Sequence, residues 1–230
     1  RVFVLGSLNG HMDNALKLLR KAGIIDHDHD WKGDAGTVLV QTGNMIGEGP
    51  DAEELLKFFL KLTKQANERG GRVIQLLGNN ELRRVASRLS HAVRPPKPHT
   101  PLEMEGSLLR RADEADVRLL RLPIAQRVGD TVFVHGGIAP FYALMDIGRM
   151  NQLAKNELPR YIQHPKERSA DVRTIFSSQG PVDYRLYSAY AEEKRLCKVL
   201  RQALGILKVK RMVASGRLQR ANTIFSRCNG

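Results

Sequence analysis

The chain has 230 residues and 42% hydrophobic content, enough for one α/β domain with a full core. It contains no run of about 18 apolar residues, so no membrane insertion is expected. Lysine and arginine number 37 against 24 acids, a net charge of +13 that points to an anionic partner.

Arg1 leads straight into Val2-Phe3-Val4-Leu5, an apolar strand that stops at Gly6. A chain that opens this way reads as a portion of something longer. Met12 to Ala22 has Ala15, Leu16 and Leu19 at helical spacing, with Gly23 as the stop. Thr37-Val38-Leu39-Val40 is the second strand and ends at Thr42-Gly43. Asp51 to Glu68 predicts a strong amphipathic helix with acids in its first turn. Arg72 to Leu77 is the third strand, ending at Gly78-Asn79. From about 82 to 122 the pattern changes to an Arg-rich stretch with an Arg94-Pro95-Pro96-Lys97-Pro98 loop signal and helix from Leu108 to Leu120. This reads as a helical insertion with a flexible loop inside a single domain spanning 1–230. Thr131 to Val134 returns to strand before His135-Gly136-Gly137. Glu192 to Leu204 is a helix, Val209 to Ala214 a late strand, and Thr223-Ile224-Phe225 a candidate last strand. Strands alternating with helices indicate a layered α/β fold.

The two cysteines, Cys197 and Cys228, show no Cys-x-x-Cys or zinc spacing, so two reduced thiols in an intracellular or organellar compartment are expected. The positive charge is uneven. From Lys194 onward there is no acid, while Lys194, Arg195, Lys198, Arg201, Lys208, Lys210, Arg211, Arg217, Arg220 and Arg227 are all basic. These, with Arg83, Arg84, Arg88, Arg94, Arg110 and Arg111 of the insertion, are the expected surface for RNA, a ribonucleoprotein or an acidic protein. No recognisable RNA-binding module is present, so contact would be electrostatic and shape-based.

Four strand ends carry Gly-rich polar loops: Gly6-Ser7-Leu8-Asn9-Gly10, Gly43-Asn44-Met45-Ile46-Gly47-Glu48-Gly49-Pro50, Gly78-Asn79-Asn80-Glu81 and His135-Gly136-Gly137. One such loop is a turn device; four in this order form a site pattern. With Gly71 to Asn79, Val128 to Gly137, Gly180-Pro181-Val182-Asp183-Tyr184-Arg185 and Arg211-Met212-Val213, the chain resembles the calcineurin-like metallophosphoesterases. Within them it resembles the Shewanella-like phosphoprotein phosphatases, over Val2 to about Gln219. The resemblance implies a β-sandwich flanked by helices with two metal ions at one edge.

Two divalent cations held about 3.5–4 Å apart need carboxylates, one of them bridging. Against the family's motifs, the first Asp is Ser7 and the first His is Asn9. The bridging Asp is Asn44, the second Asp is Gly47, and the phosphate-binding Arg is Glu48. The catalytic His is Asn80, and the last His falls on Gly216, or on Arg217 when shifted by one. Asn79 and His135 alone survive as relic ligands, too few to hold metal, so no cofactor is expected. The pattern predicts a pseudophosphatase acting as a structural or binding subunit, with an organellar, mitochondrial ribosome as the favoured setting. An accessory subunit of a protein-only respiratory assembly is the alternative. A further alternative is a rewired phosphatase centre drawn from His11, Asp13, Asp34, Glu48, Glu81 and His135. A surviving anion pocket around Ser7 and Asn9 is a milder option. His27-Asp28-His29-Asp30 reads as a solvated turn; His91, His99 and His164 read as surface, and Tyr184, Tyr187 and Tyr190 as partly core.

Overall fold

The computed structural model describes residues 1–90, 114–163, 174–189, 192–217 and 224–228. Its first sheet holds β1 (Val2–Leu5), β2 (Val38–Gln41) and β3 (Arg72–Gln75), all parallel and in that order. Parallel neighbours need crossovers, and α1 (Met12–Lys21) and α2 (Ala52–Glu68) supply them. Each presents an apolar stripe to the sheet: Ala15 and Leu19 from α1, and Leu55, Leu56, Phe59 and Leu62 among those from α2.

The second sheet pairs β4 (Ala125–Val128) antiparallel with β5 (Thr131–Val134), and β5 parallel with β6 (Arg211–Ala214). The two sheets lie face to face, and the period-2 alternation of each strand shows this directly. Val40, Ile74 and Phe133 form one cluster between the sheets, while Leu39, Val132 and Val134 face the helices. The helices after the first two are α3 (Asn79–Ser90), α4 (Glu114–Leu120), the short α5 (Pro140–Ala143), α6 (Ile147–Gln163) and α7 (Glu193–Leu207). α3 packs on α6, and α7 packs on α5. This is the expected helix-flanked sandwich.

Some expectations are corrected. Ala125–Val128 is a further strand with no clear signal in the sequence, because Gln126 and Arg127 break its apolar character at an edge position. Ile147–Gln163 is a long helix despite the proline at position 159. Ile224 and Phe225 are exposed and irregular rather than a last strand, and no strand among the described residues pairs with them. The two ends of the expected insertion are helical, and the part expected as its loop, with Arg94, Arg110 and Arg111, lies outside the described residues, as do His91, His99, His164, Tyr190 and Arg220.

Cys197 and Cys228 are not two free thiols. They form a disulfide with Cα atoms 5.5 Å apart, within the span such a bond requires. Their sequence separation of 31 hid a fold that returns the tail to α7.

Candidate functional site

The C-terminal ends of β1, β2, β3, β5 and β6 converge on one edge of the sandwich. Ser215, just after β6, donates its backbone N–H to the carbonyl of His135, just after β5, at 2.9 Å. Its hydroxyl donates to the Thr42 carbonyl at 3.0 Å, which ties the second sheet to the loop after β2. Ser7 Oγ donates to the Ser215 carbonyl at 3.3 Å and closes the circuit to β1.

The loops are fixed by one carboxylate. Glu81 in the first turn of α3 is fully buried, and its Oε2 accepts from Asn44 N at 2.8 Å and Gly78 N at 2.9 Å. Its Oε1 accepts from Ile46 N at 3.0 Å. Burial pushes this carboxyl above its ordinary value, and the three backbone donors pull against that. Its oxygens are therefore committed to holding the second and third loops together. Asn44 sits at φ 52°, in the left-handed region that asparagine tolerates.

Asn9 and Asn44, at positions where the family's motifs place metal ligands, are bonded through Asn80, which stands at the position of the catalytic His. Asn44 Oδ1 accepts from Asn80 N at 3.0 Å. Asn80 Nδ2 donates to Asn9 Oδ1 and to the Ile46 carbonyl, each at 3.1 Å. Gly47 has no room for a side chain: a Cβ there would lie 2.8 Å from Asn9 Cα and 3.0 Å from Asn80 Nδ2. Glu48 is exposed. A Cβ on Gly216 would lie 3.2 Å from the His135 carbonyl oxygen, and Arg217 points outward to the Ser188 carbonyl at 3.3 Å.

Two atoms stand apart from this network. His135 is fully buried, and its Nδ1 lies 2.9 Å from the Thr42 carbonyl, so that nitrogen carries the proton and donates. Its Nε2 is then a bare acceptor with no partner among the described residues. Burial, helped by the nearby Arg185 guanidinium, lowers His135 to about 4, against the Thr42 hydrogen bond and Asp183. The ring is neutral at neutral pH. Its contribution to stability is complete above the ordinary value of 6.5 and is lost as pH falls toward about 4. Asn79 donates through Nδ2 to Asp183 Oδ1 at 3.3 Å, and its buried Oδ1 is the second bare acceptor. Asp183 Oδ1 also accepts from Arg185 Nε at 3.1 Å and Nη2 at 2.6 Å.

One imidazole nitrogen and one amide oxygen suit a single weakly held cation or hydrogen-bond donor. They do not fit a two-metal centre, which needs bridging negative charge. Glu81 faces backbone donors, and Asp183 is neutralised by Arg185. The rewired set is not assembled either. Among the described residues, the His, Cys, Asp and Glu ligand atoms that lie within 4.8 Å of one another in a group of three are those of Glu193, Cys197 and Cys228. The His27–Asp30 stretch is a turn whose Asp26 Oδ1 accepts from Asp28 N at 3.0 Å and Asp30 N at 2.9 Å. Tyr184 is buried, and the half-buried Tyr187 donates to the Ile138 carbonyl at 2.9 Å, so neither presents a free stacking face.

Thr42, Asp183, Arg185 and Ser215 belong to the site and were not singled out from sequence. Ser215 was the most findable, because it follows β6 as His135 follows β5.

Of the basic residues, Lys194, Arg195, Lys198, Arg201 and Lys208 are exposed on or just past α7. Lys210 and Arg211 both pair with Asp130, at 3.3 and 3.2 Å, and Arg227 pairs with Glu193 at 3.2 Å. No helix among the described residues is long and apolar enough to cross a membrane.

Residues 1–209 match the calcineurin-like phosphoesterase family. The whole chain is 29% identical to an uncharacterised protein of Schizosaccharomyces pombe, covering 70% of it. It is 25% identical to Shewanella-like protein phosphatase 1 of Plasmodium berghei, covering 64%, and 25% identical to Shewanella-like protein phosphatase 2 of Arabidopsis thaliana, covering 68%. Among solved structures it is similar to the cold-active protein-tyrosine phosphatase of a psychrophilic Shewanella species. That match has 25% identity and a TM-score of 0.71 over 93% of this chain and 64% of that one. The chain thus spans about two thirds of the length of these relatives.

Proposed function

The chain belongs to the calcineurin-like phosphoesterase family, and within it we propose a catalytically silent member that serves as a binding subunit. The observation that carries this reading is the closed network at the strand ends. Asn44, Asn80, Asn9 and Ser7 spend their side chains on one another and on backbone, and Gly47 has no space for a carboxylate. A site awaiting cations would keep its acceptors free and negatively charged. No general acid is present where Asn80 stands.

The binding face is α7. Lys194, Lys198 and Arg201 follow the helical repeat on the side opposite the apolar stripe of Leu196, Leu200, Ala203 and Leu207, and Lys208 adds a fourth charge at the left-handed C-cap. The steps from Lys194 to Lys198 and from Lys198 to Arg201 rise about 6 and about 4.5 Å along the axis, which lines the charges up in one row for a polyanion. The partner on this reading is polyanionic, with a ribonucleoprotein as the favoured class. A disulfide persists in oxidising surroundings. A place in a mitochondrial ribosome therefore belongs to the reduced chain.

The test is RNA binding across a salt series. With four contacts, the log–log slope is expected near −3 for a single strand, and the triple variant Lys194→Glu, Lys198→Glu, Arg201→Glu should weaken binding at least tenfold. Salt-insensitive association, or an unchanged triple variant, would remove the polyanion from the reading.

A further inference from the structure

The junction of α7 and the tail at 224–228 carries a chemical group that the phosphatase-like site does not use. We propose that Glu193, Cys197 and Cys228 form a redox-gated metal site: when the disulfide is reduced, the two sulfurs and the carboxylate bind one thiophilic divalent cation of the zinc type.

Glu193 and Cys197 are four residues apart on α7 and so share a face. Glu193 Oε1 lies 3.8 Å from Cys197 Sγ. A tetrahedral zinc with one oxygen and one sulfur ligand sets those atoms about 3.5 Å apart, so this edge of the polyhedron is nearly in place. The second sulfur is brought up by the tail, and the disulfide is not its only anchor. Cys228 N donates to Glu193 Oε1 at 3.1 Å, Arg227 Nη1 to Glu193 Oε2 at 3.2 Å, and Arg227 Nη2 to the Ala189 carbonyl at 2.9 Å. The Arg227 guanidinium also stacks 4.8 Å from the centre of the Phe225 ring. With the bond cut, these contacts keep Cys228 beside Cys197. Their sulfurs need only part to about 3.7 Å, the spacing of two thiolates on one zinc. Cys197 is buried and Cys228 half-buried, while Glu193 is exposed, which leaves the solvent side open for water as a fourth ligand.

The chemistry balances. Two equivalents of an external thiol such as glutathione supply two electrons and two protons, giving Cys197-SH and Cys228-SH and the oxidised disulfide of the donor. Zinc binding then expels the two thiol protons and leaves two thiolates on the metal. Exchange in reverse with the donor's disulfide takes the two electrons back, re-forms the Cys197–Cys228 bond and ejects the ion, because bonded sulfurs have no anionic lone pairs to offer. Metal and disulfide are therefore mutually exclusive states of one pair.

The full chain, reduced with a non-chelating phosphine under anaerobic conditions, is titrated with Zn2+ and, in parallel, with Co2+. The expected result is one ion per chain, a sulfur-to-cobalt charge-transfer band, and no binding to the oxidised protein. Cys197→Ser should abolish the band, as should Cys228→Ser, and Glu193→Gln should weaken affinity about tenfold or more. Circular dichroism of each variant confirms that the fold persists. Reduced protein that binds no more Zn2+ than the Cys197→Ser, Cys228→Ser double variant would overturn the proposal, as would cobalt binding without the thiolate band. Neither outcome bears on the silent strand-end site, which lacks sulfur ligands.

Discussion

Replacing Glu81 by alanine is expected to lower folding stability by roughly 3–5 kcal/mol. Three backbone donors, from Asn44, Ile46 and Gly78, lose their acceptor in a fully buried place. Each orphaned N–H costs about 1–3 kcal/mol, while relief from burying a carboxylate without a cation partner offsets part of the sum. At about 2–4 °C per kcal/mol, the midpoint should fall by roughly 10 °C in thermal melts followed by circular dichroism. Glu81→Gln should fall between wild type and alanine, because its amide keeps one acceptor and sets an NH2 group against a donor. A loss below about 1 kcal/mol for the alanine variant would mean that water replaces the carboxylate and that the loops are not held as described.

The second large effect is Asn44→Asp, which puts back the bridging carboxylate of the family's motif. It is isosteric, so packing is unchanged. The new charge, however, sits beside Glu81. Asn44 Oδ1 and Glu81 Oε2 lie 2.3 and 2.6 Å from the point that a Cβ on Gly78 would occupy, so the two oxygens are less than about 5 Å apart. Two negative charges at that distance repel by about 3 kcal/mol at an effective dielectric of ~20. The hydrogen bond from Asn80 N becomes charge-assisted and returns about 1 kcal/mol. A net loss of about 2 kcal/mol at pH 8 is expected in urea titration, shrinking as the solution is acidified. In a loaded two-metal centre a cation would cancel this repulsion. Here Mn2+ is expected to give no rescue, because the remaining donors are His135 Nε2 and Asn79 Oδ1. A rise of several degrees in the melting midpoint of the variant on adding Mn2+ would show that the edge still gathers metal.

The first half of the fold was readable because each strand and helix carried its own period. Leu39 and Val40 already alternate between the two sides of β2, and α2 announces its buried stripe. The second half was harder. β4 is a short edge strand with two polar residues, and α6 contains a proline, so neither has a clean local signal. Pairing of Cys197 with Cys228 is a long-range event that no local pattern encodes. The degenerate strand ends were visible as residue identities. What they do instead was not, since the bond from Asn80 to Asn9 spans 71 positions and depends on loops meeting in space. Glu81 shows the limit most clearly. An acid beside a glycine-rich loop reads equally well as a ligand or as a solvated side chain, and its actual partners are three backbone amides. The basic tail was likewise legible as charge but not as surface, because Asp130 and Glu193, which pair with Lys210, Arg211 and Arg227, lie at or before residue 193.

The most direct test is the metal content of the purified chain after incubation with Mn2+ and removal of loosely held ions, read by plasma mass spectrometry alongside hydrolysis of a phosphate monoester. The chain is expected to retain no stoichiometric manganese or iron at the strand ends and to turn over nothing above buffer. Two ions per chain, with ester hydrolysis that disappears in His135→Ala, would contradict a silent site and return the protein to the working phosphatases.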